Sequence, residues 1–378
     1  MKKKKVLVLT DDMPWGHRSI AKAIYNYLKA NEKENNLKVS YMEVKAQIGI
    51  LNDLYLLAYR YFPKSGKINN LLMEKEIARE FLRESNMMDY ERLKKAIGRS
   101  SPDVIVSSYL FHSHSLAKWR RCEHLNFKLV TVVADPWTFN PISFVPEADM
   151  HLVYDDVAVK KSKKFNIEPD KVTATGWWTR QEMFKEYNKK EARKKMGFKD
   201  NRPVIFVGGG SLGTNALPKV LPMLLMVEKP IGVIFNSGTD KLAYNMVEEY
   251  ERMFKRLRKN DMVQIANLGW IENMAEVLNA CDIVFGKAGP NFLFDVAATK
   301  RPFVAITHIG GQEDGNIDII ENKKLGWVKE RSRDLTKFFL RYTQNPEEFN
   351  LKYIENIKAE ADRNEKSLPK VLEIVKKM

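Results

Sequence analysis

The sequence predicts an α/β protein made of two doubly wound units, on three observations. Its 378 residues exceed what one ordinary core requires. Short apolar runs alternate with amphipathic stretches along the whole chain, the pattern of parallel strands joined by helical crossovers. Both halves also repeat one design, in which a strand runs into a Gly-containing loop and then a helix.

In the first half the expected strands are Lys5–Thr10, Lys38–Glu43, Val104–Ser107, Leu129–Ala134, His151–Val153 and Lys171–Ala174. Helical spacing is read over Ile20–Ala30 and Tyr90–Ile97. In the second half the strands are Val204–Val207, Ile231–Phe235, Val263–Ala266, Ile283–Phe285 and Phe303–Ile306. The charged segment Tyr187–Arg202 reads as the connection between the units. The boundaries expected are therefore 1–187 for the first domain, 188–349 for the second, and a charged helical segment over 350–378 that packs across the outside.

Hydrophobic residues make up 44% of the chain, enough for packed cores. Lys and Arg number 63 against 48 Asp and Glu, a net charge of +15. That excess points to an anionic partner, such as a phosphorylated ligand or an acidic membrane surface. Nucleic acid is not expected, because no nucleic-acid module or basic-aromatic pattern is present. The runs Lys160–Lys164, Lys189–Lys195 and Lys255–Lys259 read as solvated helix faces. Cys122 and Cys281 are isolated, so neither a disulfide framework nor a zinc site is supported, and a reduced cytosolic compartment is expected. The basic start Met1–Lys5 is followed by too short an apolar run, Val6–Leu9, for a signal peptide. No apolar run approaches the ~20 residues that span a bilayer. Ile48–Phe62 has helical spacing and an aromatic face, and fits either core or a helix dipping into a membrane.

Four stretches carry chemistry. Lys287–Asp295 reads as the end of a buried strand, a Gly289-Pro290 turn and a helix start, with a carboxylate, Asp295, on its second turn. The positive end of such a helix suits a phosphate, and the carboxylate can reach a ribose diol. Thr10–Arg18 places His17 at the C-terminal end of the first strand, where open α/β sheets bind ligands. Histidine suits proton transfer near neutral pH, yet the loop alone also allows His17 simply to pack or cap the helix start. Gly208-Gly209-Gly210-Ser211 lets backbone approach a ligand, with Ser211 and Thr214 as hydroxyl donors. It is neither a Walker loop nor a clean dinucleotide fingerprint, and a plain turn remains open. His308–Asn316 follows another strand, with Gln312 and Asn316 four apart and on one face if a helix begins there. His112 and His114 alternate along Ser107–Leu116, which in an extended segment puts both on one face. With no third ligand in reach, they read as structural or acceptor-side histidines.

Taken in order, these segments resemble GT-B glycosyltransferases of family 28 type. The likeness is strongest to the monogalactosyldiacylglycerol synthase and diacylglycerol glucosyltransferase group and extends to the peptidoglycan lipid-linked GlcNAc transferases. The resemblance rests on Gly16-His17-Arg18, Pro102–Ser107, Asp135 and Gly208-Gly209-Gly210. Its most specific part runs from Gly269–Met274 through Ala280-Cys281-Asp282 and Lys287–Pro290 to Gly311–Asn316. It implies a GT-B fold, with two Rossmann-like domains facing across a cleft. It also implies an inverting transfer of sugar from a nucleotide-sugar, a UDP-sugar first, to a lipid acceptor such as diacylglycerol, by a protein peripheral to the inner face of the cell membrane. No cofactor and no metal are expected, since no Asp-x-Asp motif stands at the donor loop.

The resemblance assigns roles to numbered positions. His17 is the base, with Asp135 as the alternative. Trp270 and Ile271 meet the nucleotide base, Asp295 the ribose, and Gly289, Pro290 and Asn291 the diphosphate. Gly209, Gly210 and Ser211 belong to the second Gly loop, and Arg180 neutralises phosphate charge. Gln312 and Asn316 hold the sugar. The chain departs from the family at Pro14-Trp15, at Trp178 in place of a Pro, in lacking a His within 136–146, and at Asn291, Phe292 and Asp295. A GT-B sugar-nucleotide 2-epimerase and a non-catalytic nucleotide-sugar-binding membrane protein are the alternative readings.

Overall fold

A computed structural model describes residues 3–13, 16–45, 87–98, 100–198, 200–208, 216–257 and 261–378. The chain packs as two compact units. One comprises Met1–Gln181, Gly310–Gly315 and Arg363–Met378, and the other Glu182–Ile309 and Asn316–Asp362.

The first unit holds a sheet of six strands: β1 (Lys4–Thr10), β2 (Leu37–Glu43), β3 (Val104–Ser107), β4 (Lys128–Val132), β5 (Met150–Val153) and β6 (Val172–Ala174). Their spatial order is β2-β1-β3-β4-β5-β6, and every pair is parallel. The second unit holds β7 (Val204–Gly208), β8 (Ile231–Asn236), β9 (Val263–Leu268), β10 (Ile283–Lys287), β11 (Phe303–Thr307) and β12 (Gly326–Val328). Their order is β12-β11-β10-β7-β8-β9, again all parallel. Parallel strands covered on both faces must be apolar throughout. Val6–Leu9 and Ile283–Phe285 accordingly lie within 1% of complete burial.

The topology creates one reversal in each sheet. From β1 the chain passes to β2 on one side and later to β3 on the other. From β7 it passes to β8 and β9 on one side and later to β10 on the other. Loops leaving the carboxyl ends of such neighbouring strands diverge and leave a crevice for ligands. His17 follows β1 and Ser108 follows β3, while Lys287–Pro290 follows β10.

The C-terminal residues 363–378 are fastened inside the first unit. The Trp177 N–H donates to Asn364 Oδ1 at 2.8 Å, and the Ser367 hydroxyl donates to the Trp177 carbonyl at 2.7 Å. Lys4 Nζ donates to the Lys376 carbonyl at 2.7 Å. Gly176 sits at φ +92°, and a Cβ there would lie 3.0 Å from the Arg363 carbonyl oxygen, so glycine serves both the turn and the approach.

Several expectations are corrected. Ser107–Leu116 is not extended: β3 ends at Ser107 and a helix runs over Leu110–Cys122, so His112 and His114 do not share a strand face. Tyr187–Arg202 carries the helix Lys189–Lys195 within the second unit. That helix is not a purely solvated face. Arg193 is 8% exposed, bonds the Ala280 carbonyl at 2.9 Å and pairs with Asp282, which also receives Lys189. A short strand, β12, was not anticipated. Ile48–Phe62, Gly209, Gly210, Ser211, Thr214, Pro14 and Trp15 lie outside the described residues.

Candidate active site

His17 lies in the first turn of the helix Gly16–Ala30, at the carboxyl edge of β1. That helix buries Ile20, Ala21, Ala23, Ile24 and Leu28, apolar at helical spacing, which fixes how its first turn meets the sheet. His17 Nδ1 lies 2.9 Å from the Ser108 carbonyl oxygen. The Ser108 hydroxyl lies 3.0 Å from the His17 carbonyl oxygen and 2.9 Å from Thr10 Oγ1. The His17 ring meets Tyr109 edge-on at 5.7 Å, and Tyr109 meets His112 at 4.9 Å. Burial lowers the His17 pKa below the usual histidine value, against the opposing pull of the Asp135 charge and the Ser108 carbonyl.

Asp135 follows β4 and reaches the same edge. Burial raises its carboxyl to about 6, while the His17 charge and a hydrogen bond from Gln312 work in the other direction. Gln312 thus lies beside Asp135, in the loop Gly310–Gly315 of the first unit. That loop is held by the Gly315 N–H donating to Thr138 Oγ1 at 2.6 Å, and a Cβ on Gly315 would collide with Thr138. Trp137 is set by Nε1 donating to Asp155 Oδ1 at 3.0 Å and by Lys161 Nζ on its carbonyl at 2.9 Å. The helix over Asp314–Asn322 begins after Gln312, so Gln312 and Asn316 do not share a helix face, and they fall in different units. Arg180 is partly buried just past Trp177-Trp178-Thr179, also in the first unit.

The second unit places the turn expected to hold phosphate. β10 is irregular between Gly286 and Lys287, and Gly289 caps the helix Pro290–Ala298 with Pro290 in its first turn. Proline fits there because a first-turn N–H has no intrahelical partner to lose. Asn316 is 2% exposed and donates Nδ2 to the Ala288 carbonyl at 2.8 Å, so it braces this turn from below. Asp295 and Asn291 lie on the same helix, both partly exposed. Phe292 turns onto the sheet and packs on Phe206 and Phe303, each at 5.8 Å. It covers Gly286, where a Cβ would come within 2.7 Å of its ring. Gly286 and Phe292 therefore form a matched pair, which gives the departure at Phe292 a packing reason. Trp270, just past β9, is 70% exposed, and the Gly269 carbonyl before it accepts from Asn236 Nδ2 at 2.8 Å. Ile271 beside it is half-buried.

The sequence reading missed Ser108 and Thr10, since a backbone carbonyl acceptor leaves no residue signature. His112 is fully buried, and neither ring nitrogen has a hydrogen-bond partner among the described residues. Among the described residues no cluster of His, Cys, Asp and Glu is placed to hold a metal ion, and no helix is long and apolar enough to cross a membrane.

Residues 17–177 match the monogalactosyldiacylglycerol (MGDG) synthase family, and residues 204–368 match the glycosyltransferase family 28 C-terminal domain. The chain is 25% identical to the probable chloroplastic monogalactosyldiacylglycerol synthase of Nicotiana tabacum, over 84% of this chain and 61% of the relative. It is 22% identical to the processive diacylglycerol beta-glucosyltransferase of Bacillus pumilus, over 91% of this chain and 88% of the relative. The chain thus spans less than two thirds of the length of the first of these relatives. Among solved structures it is similar to Os79 from O. sativa in complex with UDP, with a TM-score of 0.64, 12% identity, and coverage of 98% of this chain and 99% of the other. That likeness establishes the two-domain GT-B fold.

Proposed function

The chain belongs to the glycosyltransferases that join a monogalactosyldiacylglycerol-synthase domain to a family 28 C-terminal domain, and on that premise we propose that it is an inverting glycosyltransferase. In this reading it moves a sugar from a nucleotide-sugar, a UDP-sugar first of all, to a lipid acceptor such as diacylglycerol. The observation that most supports the reading is His17 at the carboxyl edge of β1, with Nδ1 occupied by the Ser108 carbonyl and the Asp135 charge acting on its ring. Because a carbonyl oxygen only accepts, Nδ1 carries the hydrogen, and in the neutral ring Nε2 keeps its lone pair. That nitrogen takes the acceptor hydroxyl's proton as the oxygen attacks the anomeric carbon. The Asp135 carboxylate stabilises the imidazolium that forms.

The donor is assigned to the second unit. Trp270 and Ile271 offer an apolar face to the nucleotide base, Asp295 meets the ribose, and the Pro290 helix end takes the diphosphate as it departs. Arg180 adds positive charge to the leaving group, and Gln312 orders Asp135 and the sugar. In this reading the transfer needs no metal or other cofactor.

The +15 charge supports a peripheral position on an anionic membrane at its cytoplasmic face. Binding to phosphatidylglycerol vesicles should then rise with anionic lipid and fall with salt. Equal binding to neutral vesicles would remove that part.

A screen of UDP- and GDP-sugars for nucleotide release, with diacylglycerol, a polyprenyl-phosphate lipid or no acceptor, tests the activity. Release that depends on UDP-sugar and diacylglycerol, with an inverted anomeric product, is expected. An epimer formed without nucleotide release would favour the 2-epimerase reading. Nucleotide binding with neither product would favour the non-catalytic one.

A further inference from the structure

We propose that Ser108 is a positioning residue that presents His17 as the Nδ1–H tautomer, with Nε2 free to take a proton. The inference rests on the reading of His17 as base, and it adds a residue outside the family's quoted motifs. Its support is geometric. Ser108 is 2% exposed and Thr10 is fully buried, so the bond between their hydroxyls is shielded from water. Ser108 touches His17 twice, accepting from Nδ1 with its carbonyl at 2.9 Å and donating to the His17 carbonyl with its hydroxyl at 3.0 Å. It is itself tied to β1, by its N–H on the Leu9 carbonyl at 3.1 Å and by its hydroxyl beside Thr10 Oγ1 at 2.9 Å.

These links leave the His17 ring little freedom. Rotating it by half a turn would put a ring carbon against the Ser108 carbonyl and lose the bond, and the Tyr109 edge at 5.7 Å bounds the other side. A hydrogen bond to one ring nitrogen decides which nitrogen carries the proton. Here a backbone carbonyl makes that bond, and the nearby carboxylate of Asp135 accepts from Gln312. Orientation is thus assigned to Ser108 and charge compensation to Asp135. Neutral His17 is favoured further by burial, which holds its pKa below the usual value.

The test is ¹⁵N-histidine NMR of the full chain near pH 7.5, with the His17 signal assigned by its loss in His17→Gln. The native protein should show the Nδ1–H pattern, and an Nε2–H pattern overturns the proposal. Ser108→Ala keeps the carbonyl but removes the hydroxyl bonds that hold it against His17, so it should loosen the ring enough to mix the two tautomers and lower kcat about tenfold, a loss smaller than removal of a base. The assay is UDP release from UDP-glucose with dioleoylglycerol in phosphatidylglycerol micelles, and KM for UDP-glucose should not change. Ser108→Thr, which keeps the hydroxyl, should recover both readouts. An unchanged tautomer and kcat in Ser108→Ala would overturn the assignment. Thr10→Val removes the Ser108 link, together with a 3.3 Å bond to Asp11, at constant shape and should shift both readouts in the same direction by less. If Ser108→Ala does not fold, an unchanged Thr10→Val spectrum overturns the proposal. Normal turnover in His17→Gln would instead defeat the base reading and leave the tautomer result to stand by itself.

Discussion

The two sheets reverse at equivalent places, β1/β3 in one unit and β7/β10 in the other, and the residues set there differ in kind. At the carboxyl edge of the first sheet the chain places titratable side chains with shifted pKa values: Asp11 and His17 after β1 and Asp135 after β4. At β10 it places a Gly-Pro helix start braced by a buried amide, with its aromatic ring turned down onto the sheet. On the proposed function, one topology supports two chemistries, and the first few residues after a strand decide which one a unit serves.

The strongest way to break this comparison is His17→Gln. On the account given, kcat falls by about 10²–10⁴, the worth of a general base, while UDP affinity is kept. Steady-state turnover with the donor and acceptor found by screening measures it. On the other side, Asp295→Ala should weaken UDP binding by roughly 1.5–3 kcal/mol, the value of a hydrogen bond to a charged group, with a smaller effect on turnover at saturation. Loss of turnover in Asp295→Ala at saturating donor, equal to that in His17→Gln, would erase the distinction between the units.

A third prediction concerns pH. The proposed mechanism uses Asp135 ionised and His17 neutral, and burial raises the Asp135 carboxyl to about 6. The kcat/KM profile should therefore hold near neutral pH and fall as pH drops through about 6. Asp135→Asn should lower the plateau and move that limb.

Stability should carry the same signature in the first unit. Burial places His151 at about 4 and His112 at about 3 in the folded chain. The unfolded chain takes those protons first, near the ordinary histidine value of about 6.5. Folding stability from these two groups is therefore complete above that value and is lost as pH falls, toward about 4 for His151 and about 3 for His112, at about 1.4 kcal/mol for each unit of separation. Urea unfolding at pH 7.5 and 5 reads this, and His151→Gln should flatten the dependence. Asp11 acts in the opposite sense. Burial raises its carboxyl to about 7, so it costs stability as pH rises from about 4 through 7. Asp11→Asn should then raise the unfolding midpoint at pH 8 more than at pH 5.

The sheets were legible because parallel strands must be apolar on both faces, and Val6–Leu9 or Ile283–Phe285 permit little else. β12 was not, since Gly326–Val328 is three residues long and no longer than chance apolar runs. The helix over Leu110–Cys122 is not legible because His112-Ser113-His114-Ser115 mimics strand alternation. Arg193 was read as solvated because a helix as charged as Lys189–Lys195 gives no sign that Asp282 waits beside it.

At the site, His17 and the Gly289-Pro290 turn could be found from their places after strands. Gln312 could not be placed, because its neighbour Asp135 is far away in sequence and the loop around it depends on Gly315 meeting Thr138. Ser108 was hidden for a different reason: the atom that binds His17 Nδ1 belongs to the backbone, and any residue carries it.

The central claim, proton chemistry in one unit and nucleotide binding in the other, is tested most directly by calorimetric titration of UDP into the native chain, His17→Gln and Asp295→Ala. Native affinity is expected in His17→Gln and a loss of at least about tenfold in Asp295→Ala, as each 1.4 kcal/mol is a factor of ten. Equal losses in both variants, or native affinity in Asp295→Ala, would contradict it.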